Sequence, residues 1–401
     1  MNLNFQNTEN AFAYKSDKEL KGARFLFSSM SKAWLVKLGI WATPVALRWN
    51  LPVKGLIRKT IFRQFVGGET LKQTTSVADH LAKFNVQIIL DYGVEGGQGE
   101  DKYQHAMEEF IRVINFASGQ PNIPFMSIKV TGMARFGLLE KIHAQSDYND
   151  VVRGELKTDH LSAEEKAEWQ RACDRMLNIC KVAVEKKVGV MIDAEDSWIQ
   201  HPVDALTTQM MMQFNKENPV VYNTAQLYRH DRLQYIKDVN EFAKASGFIC
   251  AFKLVRGAYM EKERARAAEM GYPSPINADK AATDKMYDDA VRYCVDPQHN
   301  MYTLVGSHNE DSNRLAAELI DKYGMPHNTD RVYFSQLYGM SDNITFNLAK
   351  AGYNSTKYLP FGPIHDVIPY LMRRAEENSS LGGQTGRELN LIREEIKRRG
   401  I

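Results

Sequence analysis

Several features that would place a sequence quickly are scarce or missing here. Cysteine is rare: Cys173, Cys180, Cys250 and Cys294 form no C-x-x-C pair and no metal-ligand spacing. Four scattered thiols do not make a disulfide framework, so a reducing compartment and no metal site are expected. No run of about eighteen apolar residues occurs, which excludes a spanning helix. The opening MNLNFQNTEN has no basic or apolar region of a secretory signal and no arginine, so neither a signal nor a transit peptide is expected. Net charge is nearly absent, with 51 basic against 49 acidic side chains, and this argues against a general nucleic-acid binder. There is no G-x-G-x-x-G, no P-loop, no H-E-x-x-H and no G-x-S-x-G. Gly96-Gly97-Gln98-Gly99 has the wrong spacing for a dinucleotide and reads as a turn. What remains is 401 residues, 44% hydrophobic and 25% charged, an ordinary globular mix able to bury a large core.

Charge is unevenly placed. Between Lys21 and Gly68 stand nine Lys or Arg and no Asp or Glu, interleaved with Phe25, Phe27, Trp34, Leu35, Ile40, Trp41, Leu51 and Phe62. Pro44 and Pro52 are expected to break this stretch into short helices. It reads either as a helical arm packed on the main domain or as an amphipathic segment on an anionic membrane.

Beyond residue 80 the pattern turns regular. Apolar or β-branched runs occur at 86–91, 125–130, 188–193, 219–224, 248–255, 302–306, 332–335 and 356–360. Helical spacing separates most of them, as in Ala172, Met176, Ile179, Cys180, Ala183 and Val184. Strands alternating with helices predict an α/β fold, and eight strands match a (β/α)8 barrel. The expected division is a helical, basic arm over 1–80 and the barrel over 81–401. Residues 141–170 read as an inserted helix hairpin on the surface.

Such a barrel carries its chemistry at the carboxyl ends of its strands. In order, those ends hold Asp91, Lys129, Asp193 with Glu195, Gln226, Lys253 with Arg256, His308 with Asn309, Gln336 and Tyr358. Each alone has an ordinary explanation as a rim residue or helix cap. Together they describe a crowded polar pocket. A second constellation is R-R-A-E-E-N-S-S from Arg373 to Ser380, where Glu377 shares a helix face with Arg373 and Arg374. It is either an exposed ion pair or a guanidinium pair set for a carboxylate.

Four ordered segments then resemble the proline dehydrogenases: K-L-V-R-G-A-Y from Lys253, S-H-N-E-D from Ser307, Y-L-P-F-G-P from Tyr358 and Y-L-M-R-R-A-E-E-N-S-S from Tyr370. Met260 to Tyr272 looks like the mitochondrial-type members. The resemblance runs from about residue 60 to the end and implies a distorted TIM-like barrel that holds FAD without a Rossmann domain. It implies oxidation of L-proline to 1-pyrroline-5-carboxylate, with electrons passed to a membrane quinone; a hydroxyproline dehydrogenase of the same fold is the alternative. Carried onto this sequence, Arg373 and Arg374 clamp the proline carboxylate, with Glu377 holding them. Lys129 and Asp193 lie beside ring and flavin, with Lys253 at the flavin, and these three are the expected catalytic residues. Leu254, Ala258, Tyr259, Leu337 and Tyr358 form the apolar wall. Gln226, Arg256, Gly257, Ser307, His308 and Asn309 contact FAD together with Asp193, Lys253 and Ala258. Many bacterial members have arginine at the position of Lys253, which replaces a point donor by a fork. Further implied are a cytoplasmic location, peripheral on the inner membrane, or the mitochondrial matrix face as the alternative.

Overall fold

The computed structural model of the protein describes residues 3–49, 53–93, 99–380 and 384–401. Pro52 and the expected turn at Gly96-Gly97-Gln98 lie outside the described residues. All eight apolar runs are strands: β1 (Val86–Tyr92), β2 (Phe125–Ile128), β3 (Gly189–Ile192), β4 (Val221–Gln226), β5 (Ala251–Val255), β6 (Tyr302–Gly306), β7 (Val332–Leu337) and β8 (Ser355–Phe361). They close in sequence order into one barrel. β1 and β8 pair in parallel from Val86 with Ser355 to Tyr92 with Phe361. Burial on both faces is why these runs are continuous rather than alternating.

The chain divides into two compact units, residues 96–334 and residues 1–95 with 335–401. In the first, the Ala163–Lys186 helix shows how local chemistry sets an element. Ser162 and Glu165 form a capping box at its start, and Lys187 adopts a left-handed conformation at its end. Ala172, Met176, Ile179, Cys180 and Ala183 bury as their spacing requires, while Val184 stays exposed. Residues 141–170 are not a helix hairpin. They hold the end of the Phe136–His143 helix, one short helix, Tyr148–Val152, capped by Asp147, and the first turns of the Ala163–Lys186 helix. The adjacent Val151 and Val152 are both buried, as is Leu161, so the segment is drawn onto the domain rather than standing off its surface.

In the second unit the basic segment is a packed arm. Phe12, Leu20, Phe27, Phe65, Ile392 and Ile396 belong to one apolar cluster that joins the arm to the Ile364–Ser380 and Gln384–Arg399 helices. Phe27 and Phe65 meet edge to face, with centroids 6.2 Å apart. Pro44 does not break the arm, because the Ala33–Arg48 helix runs through it. A proline inside a helix removes one bond and kinks it without necessarily ending it.

A buried charge cluster ties this unit together. Lys357 on β8 is fully enclosed, with its Nζ 2.9 Å from Asp342. Tyr14 donates to the same carboxylate at 2.7 Å, and Lys357 donates to the Met340 carbonyl at 2.5 Å. Burial alone would push the Asp342 carboxyl up; Lys357 and Lys15 outweigh it and hold it below its ordinary value. Asp342→Ala, which leaves Lys357 buried without its counter-charge, is expected to cost about 3–5 kcal/mol of stability. Urea unfolding of the two proteins at neutral pH measures this.

Candidate active site

Within residues 96–334 the strand ends converge on a charged cluster. Asp193 follows β3 directly, and its backbone N–H donates to the Ile128 carbonyl at 2.8 Å, which fixes its place beside β2. Its carboxylate is buried, ion-paired with the Nζ of Lys253 on β5 and accepts from the hydroxyl of Ser127 on β2 at 2.5 Å. Burial raises the Asp193 pKa, but Lys253 and Lys129 together reverse the shift and hold the group ionised below the usual carboxylate range. Lys129, half-buried at the end of β2, leads into a tight turn over Val130–Gly132.

Glu195 belongs to the same cluster. Its two carboxylate oxygens accept from the Thr131 hydroxyl at 2.9 and 2.7 Å. Burial lifts its pKa to about 7, against the opposing pull of Lys129 and Thr131. Two carboxylates two residues apart are therefore set in opposite directions, one kept charged and one able to exchange a proton near neutrality. Gln226 ends β4 and donates to the Glu195 carbonyl at 2.7 Å. The Gln226 Oε1 is buried and has no hydrogen-bond partner among the described residues.

The residues after β5 and β6 form a braced rim. Arg256 donates to Asp284 at 2.8 Å, to the Ser307 hydroxyl at 2.7 Å and to the Ser312 hydroxyl at 2.9 Å. Its guanidinium also lies 4.2 Å above the Tyr287 ring. Asn309 caps the Glu310–Lys322 helix, its side chain accepting from Asp311 and Ser312 backbone N–H groups. His308, between them, is half-buried. Gly257 has φ +130, and a Cβ there would meet the Tyr228 ring at 2.6 Å, so glycine alone suits this turn. Ala258 beside it is exposed, Tyr259 half-buried and Leu254 fully buried.

The other expected residues lie in residues 1–95 with 335–401. Arg374 is buried and its Nη2 donates to Glu377 at 2.6 Å. Its guanidinium stands 5.1 Å over the Tyr370 ring. Its Nε and the Tyr370 hydroxyl are both buried with no hydrogen-bond partner among the described residues. Arg373 is half-buried. Leu337 ends β7, and Tyr358 is half-buried on β8 beside Lys357.

Sequence reasoning missed three members of these clusters. Ser127 and Thr131 are small hydroxyl residues with no motif around them, and Lys357 looks like any strand lysine. Glu195 was visible as a strand-end carboxylate, but its raised pKa comes from burial, which spacing does not reveal.

Among the described residues no group of His, Cys, Asp or Glu could hold a metal ion. The profile of the family described as Proline dehydrogenase matches residues 74–387. Proline dehydrogenase 1, mitochondrial, of Arabidopsis thaliana is 31% identical across 92% of this chain and 80% of its own length. The Homo sapiens protein of the same name is 43% identical over 60% of this chain, and the match spans only 40% of the human protein. A hydroxyproline dehydrogenase of Xenopus laevis is 30% identical across 86% of this chain and 78% of its own length. Proline utilization A from Bdellovibrio bacteriovorus, solved after inactivation by N-propargylglycine, shares the fold with a TM-score of 0.69. At 19% identity it covers 97% of this chain, which spans 38% of that one. On this match of profile, sequence and barrel, the chain belongs to the proline dehydrogenase family.

Proposed function

We propose that this chain oxidises L-proline to 1-pyrroline-5-carboxylate with FAD as hydride acceptor, and that the electrons pass on to a membrane quinone. The observation that carries this reading is Arg374. It is a buried guanidinium already oriented by Glu377, with one donor that no protein group among the described residues satisfies. A buried cationic donor without an acceptor is costly, and a substrate carboxylate relieves that cost. Arg373 beside it supplies a second guanidinium for the same anion.

The residues present fit FAD. Gln226 offers a buried, unpartnered amide oxygen, and Gly257 keeps the backbone bare where a side chain would collide with Tyr228. Gln226, Asp193, Lys253, Gly257, Ala258, Ser307, His308 and Asn309 would hold the cofactor, and Arg256 braces the rim by fixing Ser307. When bound, FAD supplies the two-electron acceptor chemistry that no side chain can.

The chain's own residues do the rest. Proline yields a hydride from the carbon next to nitrogen only when the amine is neutral, so the ammonium must first shed a proton. Asp193, held ionised by two lysines, is a poor proton acceptor at neutral pH and serves to keep Lys129 and Lys253 in place. Glu195, with its pKa near 7, is the carboxylate of this cluster able to take that proton. The carboxylate clamp sets which carbon is presented, a positioning effect. Tyr358 and Leu337 give the ring its apolar wall. The basic arm supports peripheral contact with a membrane at the cytoplasmic face, and the relatives' names support the matrix face as the alternative.

Anaerobic addition of L-proline to the flavin-loaded protein is expected to bleach its visible flavin bands, and unbleached bands would move the substrate elsewhere. The Xenopus relative makes hydroxyproline the second reading; the Tyr358 phenol predicts a higher kcat/KM for proline than for trans-4-hydroxyproline, and equal values would reassign the substrate. Arg374→Lys keeps the charge but loses the fork, and is expected to raise the KM for proline about tenfold to a hundredfold with the flavin spectrum unchanged. Since the rate rises as Glu195 ionises, Glu195→Gln is expected to flatten the increase in kcat/KM between about pH 6 and pH 8. A pH–rate profile identical to that of the parent would remove Glu195 from the mechanism.

A further inference from the structure

The Ala33–Arg48 helix of the arm is apolar on opposite sides. On one side Leu35, Val36, Gly39 and Ile40 face a cleft of about 220 Å³ whose far wall includes Leu371 and Ala375 of the Ile364–Ser380 helix. On the other, Trp34, Leu38 and Trp41 are 64, 51 and 69% exposed. Their spacing of four and three residues makes one stripe along the helix. Phe25, Trp49 and Leu56 add three more exposed apolar side chains nearby in the chain. Lys37 lies between these two sides, so the helix sets a narrow cationic edge between two apolar faces. Among the described residues no core covers the stripe, and no helix is long and apolar enough to cross a membrane. An exposed apolar stripe flanked by lysines suits a helix lying in the plane of a membrane interface.

Charge points to the sign of that interface. Of the nine cations between Lys21 and Gly68, Arg58 and Arg63 are paired with Glu69 and Glu19. Lys21, Arg24, Lys32, Lys37, Lys54 and Lys59 make no ion pair among the described residues, and no carboxylate lies in this stretch. The cleft itself is hydrocarbon-lined. Of its thirteen described lining residues only Ser29 and Thr43 carry hydroxyls. Both donate to carbonyls of their own helices, to Phe25 at 2.9 Å and to Gly39 at 2.6 Å. A polar metabolite finds no partner there, whereas an alkyl chain needs none.

We propose that this cleft seats one acyl chain of an anionic phospholipid while the Trp34–Trp41 stripe lies among the headgroups. The inference rests on the membrane contact proposed above and adds to it a defined lipid site. The cations hold the headgroup, and the cleft takes the chain. On the same Ile364–Ser380 helix, Leu371 and Ala375 line the cleft while Arg374 and Glu377 form the carboxylate clamp, so the lipid would rest against the back of the element that binds substrate.

The full chain is sedimented with vesicles of phosphatidylcholine alone and of phosphatidylcholine mixed equally with phosphatidylglycerol. Lipid retained by the repurified protein is then counted by native mass spectrometry. The parent should sediment only with the anionic vesicles and retain one phosphatidylglycerol. Trp34→Ser with Trp41→Ser should weaken sedimentation about tenfold or more, with the circular dichroism unchanged. Gly39 has open space around its position, so Gly39→Leu fills the cleft without a clash. It should still sediment but retain about tenfold less lipid, as expected for an occupied site. Sedimentation indifferent to phosphatidylglycerol would overturn the proposal together with the membrane contact. Lipid retention by Gly39→Leu equal to the parent would overturn the cleft alone. Dye-linked proline oxidation, measured on the same samples, reports separately on the catalytic reading.

Discussion

A lysine ammonium inside a barrel is tolerated only with an anion beside it, and much of this molecule is arranged around that constraint. Lys253 on β5 has Asp193, and Lys357 on β8 has Asp342. Taking either cation out of water costs several kcal/mol, recovered only while the partner is ionised and well bonded. Each carboxylate is therefore hydrogen-bonded in its own right, Asp193 by Ser127 and Asp342 by Tyr14. The two pairs have different consequences. The first lies at strand ends among groups suited to chemistry. The second draws in Tyr14 from the arm, as well as the loop after β7.

Ionised Asp193 also shapes its neighbour. Glu195 feels the Asp193 charge as an upward push, after burial and the pull of Lys129. A cluster of two lysines and two carboxylates thus sets one carboxylate held ionised beside one that is adjustable near neutrality. The proposed removal of a proton from a substrate amine within a rigid electrostatic frame calls for both kinds of group.

The barrel was legible in the sequence because its strands are buried on both faces, which produces continuous apolar runs that need no partner to be seen. The strand-end residues Lys129, Asp193, Gln226 and Lys253 were legible for the same reason, since each interrupts or closes such a run. Less visible was whatever depends on distant contacts. Pro44 looked like a helix stop, yet the Ala33–Arg48 helix continues through it, since a proline within a helix removes one bond without necessarily ending it. Residues 141–170 looked like a surface insertion, but Val151, Val152 and Leu161 found burial that their local pattern did not announce. Arg256 and Asn309 were expected at a cofactor from resemblance. The structure shows their protein contacts: one guanidinium fixing three partners and one side chain capping a helix.

The register of β1 against β8 has a consequence for how the molecule is made. Val86 pairs with Ser355, so the barrel seam joins segments 269 residues apart. At a ribosomal pace of about 5–20 residues per second, roughly fifteen seconds to a minute separates the synthesis of the two strands. Throughout that interval Phe12, Leu20 and Phe27 are already made, but their partners on the last two helices do not yet exist. The 96–334 unit is contiguous in sequence and free to fold during this wait. Until the final strand and helices arrive, the nascent amino-terminal segment carries apolar side chains without their late partners, the kind of surface that favours off-pathway association.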